Sequence, residues 1–225
     1  MTPVKLPERS SRTSTTAAGA ACLALSLVLA ACSGGGSKPS TTTRTKTTVP
    51  KVLAVKTSLL RVGKVVVESA GPPNVQIDTT TGKAVLAGAQ KYIDDAVFAP
   101  LKEGRLGVGY GSVFDSGVKS TAVGADARVL TDLDVGKVTR LSTKATPVEL
   151  SALVGTLGEL LYVATNFDVT LTGLGHTGPL TISRSIELTF ARTAKTWLVT
   201  AYRVRTVRHL PSGTTTTTAK GGTKP

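Results

Sequence analysis

Between Val85 and Leu101 the apolar residues return every three or four positions. Val85, Leu86, Ala89, Ile93, Ala96, Val97 and Leu101 share one face, and Lys91, Asp94, Asp95 and Lys102 lie away from it. That spacing predicts a helix over about 81–101, with Pro100 in its last turn and Gly104 closing it. In the C-terminal half the period drops to two. Phe167, Val169 and Leu171 alternate with Asn166, Asp168, Thr170 and Thr172, and Leu161 and Val163 keep the same phase upstream. Leu180, Ile182, Ile186, Leu188 and Phe190 alternate with Thr181, Ser183, Ser185, Glu187 and Thr189. These are half-buried strands. With Pro147 to Val154 before them and Trp197 to Arg208 after them, they predict a four-stranded antiparallel meander. Its turns fall at Gly155 to Gly158, Gly173 to Pro179 and Thr193 to Lys195. Phe190 and Trp197 are then core residues of adjacent strands.

The rest of the chain has weaker patterns. Val52 to Glu68 is rich in Val and Leu and reads as one or two extended segments, stopped by Gly71-Pro72-Pro73. Arg105 to Asp134 is glycine-rich, with short helices expected around Ser112 to Asp115 and Asp126 to Asp132. Ser33 to Thr48 is Ser, Gly and Thr with scattered bases, the composition of a flexible tether. Ser212 to Pro225, with an unbroken Thr214 to Thr218, reads as a disordered tail. The expected organisation is a processing signal over 1–31, a tether over 32–48, one α+β domain over 49–210 and a Thr-rich tail over 211–225. A long helix, small helices and then long antiparallel strands resemble the NTF2-like superfamily over about Thr81 to His209, most specifically in the two long final strands with Trp197-Leu198-Val199 opening the second. The resemblance implies a cone, a curved sheet wrapped around the helix with a pocket between them. Some members are isomerases or dehydratases acting on small apolar substrates, and many are non-catalytic binding domains. Fold alone does not choose between them. The segment Val52 to Glu68 has no counterpart in that pattern, and either adds an edge strand or packs outside.

The N-terminus has its own logic. Lys5, Arg9 and Arg12 precede an uncharged run whose apolar core, Leu23 to Leu29, is far short of the roughly 20 residues a spanning helix needs. Leu29-Ala30-Ala31-Cys32, followed by Ser33-Gly34-Gly35-Gly36, resembles the lipobox of bacterial lipoproteins. The resemblance implies cleavage before Cys32 and attachment of palmitate-type acyl chains to that residue. The chain would then be held at the extracytoplasmic face of the bacterial cell membrane, each buried methylene contributing about 0.8 kcal/mol. With Cys22 removed and Cys32 alkylated, no disulfide is left to brace the domain.

Charge narrows the partners. The chain carries 27 Lys+Arg against 14 Asp+Glu, a net +13. Three bases and one acid precede Cys32, so 13 − 2 leaves +11 on the remainder. Export argues against nucleic acid. An anionic lipid surface or wall polymer fits better, and Lys38, Arg44, Lys46 and Lys51 follow the anchor.

Little in the chain suits catalysis. His176 falls in a hairpin turn and His209 at the end of the last strand, both expected to be solvated. No histidine, cysteine and carboxylate spacing fits a metal, and no cofactor is expected. Gly107-Val108-Gly109-Tyr110-Gly111 follows a helix and lacks the Gly-Lys-Ser/Thr ending of a phosphate loop, so it reads as a turn. Asp132 and Asp134 fall in a loop, where solvated charge is expected. Arg203, Arg205 and Arg208 crowd the last strand and read as a solvated basic edge.

Arg184 breaks its pattern. It is in phase with Ile182 and Ile186, on the face that meets the core. It is either a pocket cation that would bind the anionic head of a small apolar ligand, or an arginine at a rim or bulge, snorkelling or paired with Glu149 or Glu159. The expected function is a non-catalytic binding or interaction module. The alternatives are an isomerase or dehydratase and an adaptor for anionic polymers or lipids.

Overall fold

The long alternating segments pair in the order expected. In the computed structural model, which describes residues 46–47, 53–72, 74–194, 196–209 and 215–223, β4 (Val148–Val154), β5 (Leu160–Gly175), β6 (Gly178–Arg192) and β7 (Trp197–His209) form the antiparallel meander. The processing signal and Cys32 lie outside the described residues. All the described residues belong to one compact unit, Thr42–Pro225. The fold is α+β, with a curved, unclosed sheet and a helix packed against it.

Among the described residues the sheet has eight strands, more than alternation revealed. The segment without a counterpart contributes β2 (Val62–Ser69), which pairs parallel with β4, and the two-residue β1 (Lys46–Thr47) pairs antiparallel with β2. β5 is long enough to be shared. Its first half pairs with β4 and its second with β3 (Thr139–Ala145). Pro147 separates β3 from β4 because it has no N–H to give a ladder. β8 (Thr215–Thr223) pairs with β7 from Ala201 to His209. This overturns the reading of that segment as disordered. Its threonines are β-branched and favour the extended backbone, and the free side of β7 supplies a template that composition alone does not show.

The long helix runs as α1 (Thr79–Ile93), a π-helical turn (Asp94–Phe98) and α2 (Ala99–Glu103). Asp78 accepts from the Thr81 N–H at 2.6 Å and caps the start, and Gly104, at φ 75°, closes the end in the left-handed region. All seven residues of the apolar stripe are fully buried. Gly88 lets the helix approach the sheet, since a Cβ there would stand 2.8 Å from the Phe190 ring. Of the two expected core aromatics, Phe190 is fully buried, whereas Trp197, at the start of β7, is only half-buried against the core.

Beyond the helix, a 3-10 turn (Tyr110–Ser112) and α3 (Ser116–Val123) flank the Ser112 to Asp115 stretch where the first short helix is expected, and α4 (Ala127–Leu130) falls within the second. Phe114 sits at the junction. It packs edge-on against Tyr92, Tyr110 and Tyr202, with centroids 6.3, 5.3 and 5.8 Å away. Helix α1, the linker and β7 are thereby joined through one ring.

Candidate functional site

The site begins with a proline. Pro100 has no N–H to offer the carbonyl of Ala96 four residues back, and the π turn closes instead by a bond from the Ala99 N–H to Asp94 O. The freed Ala96 carbonyl accepts the Asp132 backbone N–H at 3.1 Å. That bond holds the segment after α4 beneath the helix and directs the Asp132 side chain at the sheet.

There it meets Arg184. The Arg184 Nε donates to Asp132 Oδ2 at 2.9 Å, and neither side chain is exposed to solvent. Arg184 Nη1 donates to the Leu130 carbonyl at 3.1 Å, which also accepts from the Tyr92 hydroxyl at 2.6 Å. On the neighbouring strand, Arg208 Nη2 donates to Asp132 Oδ1 at 2.9 Å. The same guanidinium grips Asp134 with both Nη atoms, at 2.9 and 3.0 Å. Two guanidiniums thus face two carboxylates and the charges of these four groups balance, with the exposed Arg128 a further 4.0 Å from Asp134 at the rim. Burial opposes the Arg184 charge, but Asp132, with Tyr92 and Asp134 assisting, outweighs it and its pKa moves up.

Several expectations change here. Arg184 does lie inside, but its partner is Asp132, not Glu149, which pairs with Lys64 at 3.1 Å, nor Glu159, which accepts from the Leu157 N–H. Asp132 is fully buried, because a loop pinned by the Ala96 carbonyl is not a solvated loop. Arg208 is not part of a solvated edge. It shares the inward face of β7 with Tyr202, Val204 and Thr206, while Arg203 and Arg205 are exposed on the other face. His176 and His209 are both exposed. Among the described residues no cluster of His, Cys, Asp or Glu could hold a metal ion.

Three buried polar atoms of this strip, Arg184 Nη2, Thr206 Oγ1 and Arg208 Nε, find no partner among the described residues. Arg184 and Thr206 are cross-strand partners in register. With the ionic charge already balanced, a neutral acceptor suits these groups better than a further anion. A second polar contact closes the neighbouring layer. The Tyr202 hydroxyl donates to Asp126 Oδ2 at 2.9 Å, and the Tyr110 hydroxyl to the Ala122 carbonyl at 3.0 Å.

The tyrosines carry a pH prediction. Burial pushes the Tyr92 phenol up to about 12, with Arg184 pulling it down and Asp132 adding to the rise. Burial raises Tyr110 and Tyr202 as well, and the bond to Asp126 adds to the rise at Tyr202. Above the ordinary value of 10.0 the unfolded chain releases these protons and the folded chain keeps them, so stability falls as pH rises from about 10 to about 12. The expected slope is about 1.4 kcal/mol per pH unit for each tyrosine. Urea midpoints measured across that window should drop steeply, and less so in Tyr92→Phe. A flat profile would show the phenols to be accessible.

Compared with protein-family models, curated proteins and solved structures, the chain matches none of them.

Proposed function

We propose that this chain is a lipoprotein held through Cys32 at the extracytoplasmic face of a bacterial membrane, and that its domain is an NTF2-like cone serving as a non-catalytic interaction module. Leu29-Ala30-Ala31-Cys32 supports the anchor, and the long helix against a curved sheet supports the cone. The observation that carries the non-catalytic reading is the Arg184–Asp132 pair. In a cone, the space between helix and sheet is where a substrate would lie. Here Arg184, Asp132, Tyr92 and Phe114 fill it with the chain's own side chains. Both Asp132 oxygens are engaged by guanidiniums and the side chain is shut off from solvent, a poor arrangement for a general base that must reach a substrate proton. A ligand seeking Arg184 would first have to displace an internal carboxylate.

The anchor has a direct test. In cells fed a labelled fatty acid, the wild-type chain takes up label and partitions with the membrane. Cys32→Ser is expected to take up none and to leave the membrane fraction. Label retained at the wild-type level in the mutant would remove Cys32 from the reading.

A further inference from the structure

Large apolar side chains exposed among the described residues concentrate on one hairpin. Leu157, at the tip of the β4–β5 turn, is 90% exposed, and Leu153, Leu161 and Tyr162 beside it are 42%, 39% and 44% exposed. The display is built into the backbone. Leu153 pairs with Tyr162 and Val154 with Leu160, so Leu161 is the extra residue of a β-bulge. The bulge turns two successive side chains, Leu161 and Tyr162, out to solvent. The turn itself is held from within. Gly155 N–H donates to Glu159 O at 2.8 Å, Gly158 N–H to Gly155 O at 3.1 Å, and the Leu157 N–H to the Glu159 carboxylate at 3.1 Å. The one acid of the turn is thereby bonded to the turn's own backbone.

The strand register supplies a second, independent observation. Lys46 of β1 pairs with Glu68 of β2, and Glu68 pairs with Leu153 of β4. β1 runs antiparallel to β2, so its first residue, Lys46, lies at the end of the sheet where the apolar hairpin stands. Fourteen residue steps separate Lys46 from Cys32, a reach of at most about 50 Å. Arg192, exposed on the strand next to Tyr162, offers a cation at the same end. Glu68 and Glu159 are the exposed acids nearby, and the Glu159 carboxylate is occupied by the Leu157 N–H.

From this juxtaposition we infer that the β4–β5 hairpin is a membrane contact. Leu157 enters the interface of an anionic bilayer, Leu153, Leu161 and Tyr162 follow at headgroup depth, and the domain stands with this end of its sheet on the lipid. Tyr162 suits that depth because its ring is apolar and its hydroxyl stays hydrated. A solitary exposed Leu would mean little, but four large apolar groups on a rigid tip, at the same end as Lys46 of an anchored chain, match what a lipid surface rewards. The inference rests on the lipoprotein reading for its setting.

The experiment places a solvatochromic probe on Leu157→Cys in the lipidated chain, reconstituted in vesicles of phosphatidylglycerol and phosphatidylcholine containing a brominated-lipid quencher. A probe at His176→Cys, in the turn at the opposite end of β5 and roughly 45 Å away along the strand, serves as reference. Quenching at position 157 is expected to exceed that at 176 several-fold. Equal quenching at the two positions, or none at 157, would overturn the contact while leaving the anchor intact. A Cys32→Ser chain starting at residue 32, added to the same vesicles from solution, separates the two readings. It should still associate weakly, and Leu157→Asp should lower that association about tenfold or more without changing Tm. Association indifferent to Leu157→Asp would overturn the contact, whereas a failure of fatty-acid labelling would bear on the anchor alone.

Discussion

Asp132→Ala should cost this domain about 3–5 kcal/mol, a large part of the stability of an ordinary single domain. The loss does not measure what the ion pair contributes. Removing the carboxylate leaves Arg184 with no countercharge inside the core, and leaves Arg208, whose side chain is 12% exposed, held by Asp134 and the Thr131 carbonyl. A buried guanidinium without a countercharge keeps its desolvation cost, which the one remaining bond to the Leu130 carbonyl does not offset. Arg184→Met in the same chain should therefore restore much of the loss, because the methionine has a similar length and needs no partner. Urea unfolding of the two single variants and the double variant gives the coupling directly. The vacated position has a second signature. Formate or acetate should raise the Tm of Asp132→Ala, by supplying the missing carboxylate, and leave the wild type unmoved. Equal effects of formate on both proteins, or a loss below about 1 kcal/mol in Asp132→Ala, would mean that Arg184 is served by other groups.

How Arg184 and Asp132 differ in legibility is instructive. Arg184 stood out in the sequence because a strict alternation makes any charged residue at an inward position visible. Asp132 did not, since its burial is decided elsewhere. The π turn, the missing N–H of Pro100 and the freed Ala96 carbonyl bring it under the helix, and none of these leaves a local mark around residue 132. The same contrast runs through the fold. α1 and β4 to β7 are long and periodic, so their apolar faces announce them. β3 has few apolar residues and is defined by its pairing with β5, and β8 by its pairing with β7. A threonine run carries β propensity but no alternation, so composition alone reads it as a tail. The Leu161 bulge is invisible for a related reason. Leu161 keeps the phase of Val163 in the sequence, and only the register against β4 turns it outward.

Phe190→Ala is expected to match the loss at Asp132 by an unrelated route. Phe190 is fully buried on β6, between Val163 and Val199 in the sheet, and its ring lies against helix α1 at Gly88. Truncating it removes that apolar surface and leaves a cavity under a helix that cannot move in to fill it, because α1 is fixed at its start by the Asp78 cap and near its end by the Tyr92 hydroxyl bond to the Leu130 carbonyl. The expected loss is about 3–5 kcal/mol. Trp197 is the larger side chain, but it is half-buried at the start of β7, where one side meets water in either state. Its truncation should cost visibly less than that of Phe190, although volume alone predicts the reverse. Denaturant melts of Phe190→Ala and Trp197→Ala, with Phe190→Leu as the volume-conserving control, test this ordering. Should Trp197→Ala prove the more damaging, the core would have to extend past the first residues of β7, and the outward turn of the adjoining hairpin would be in question with it.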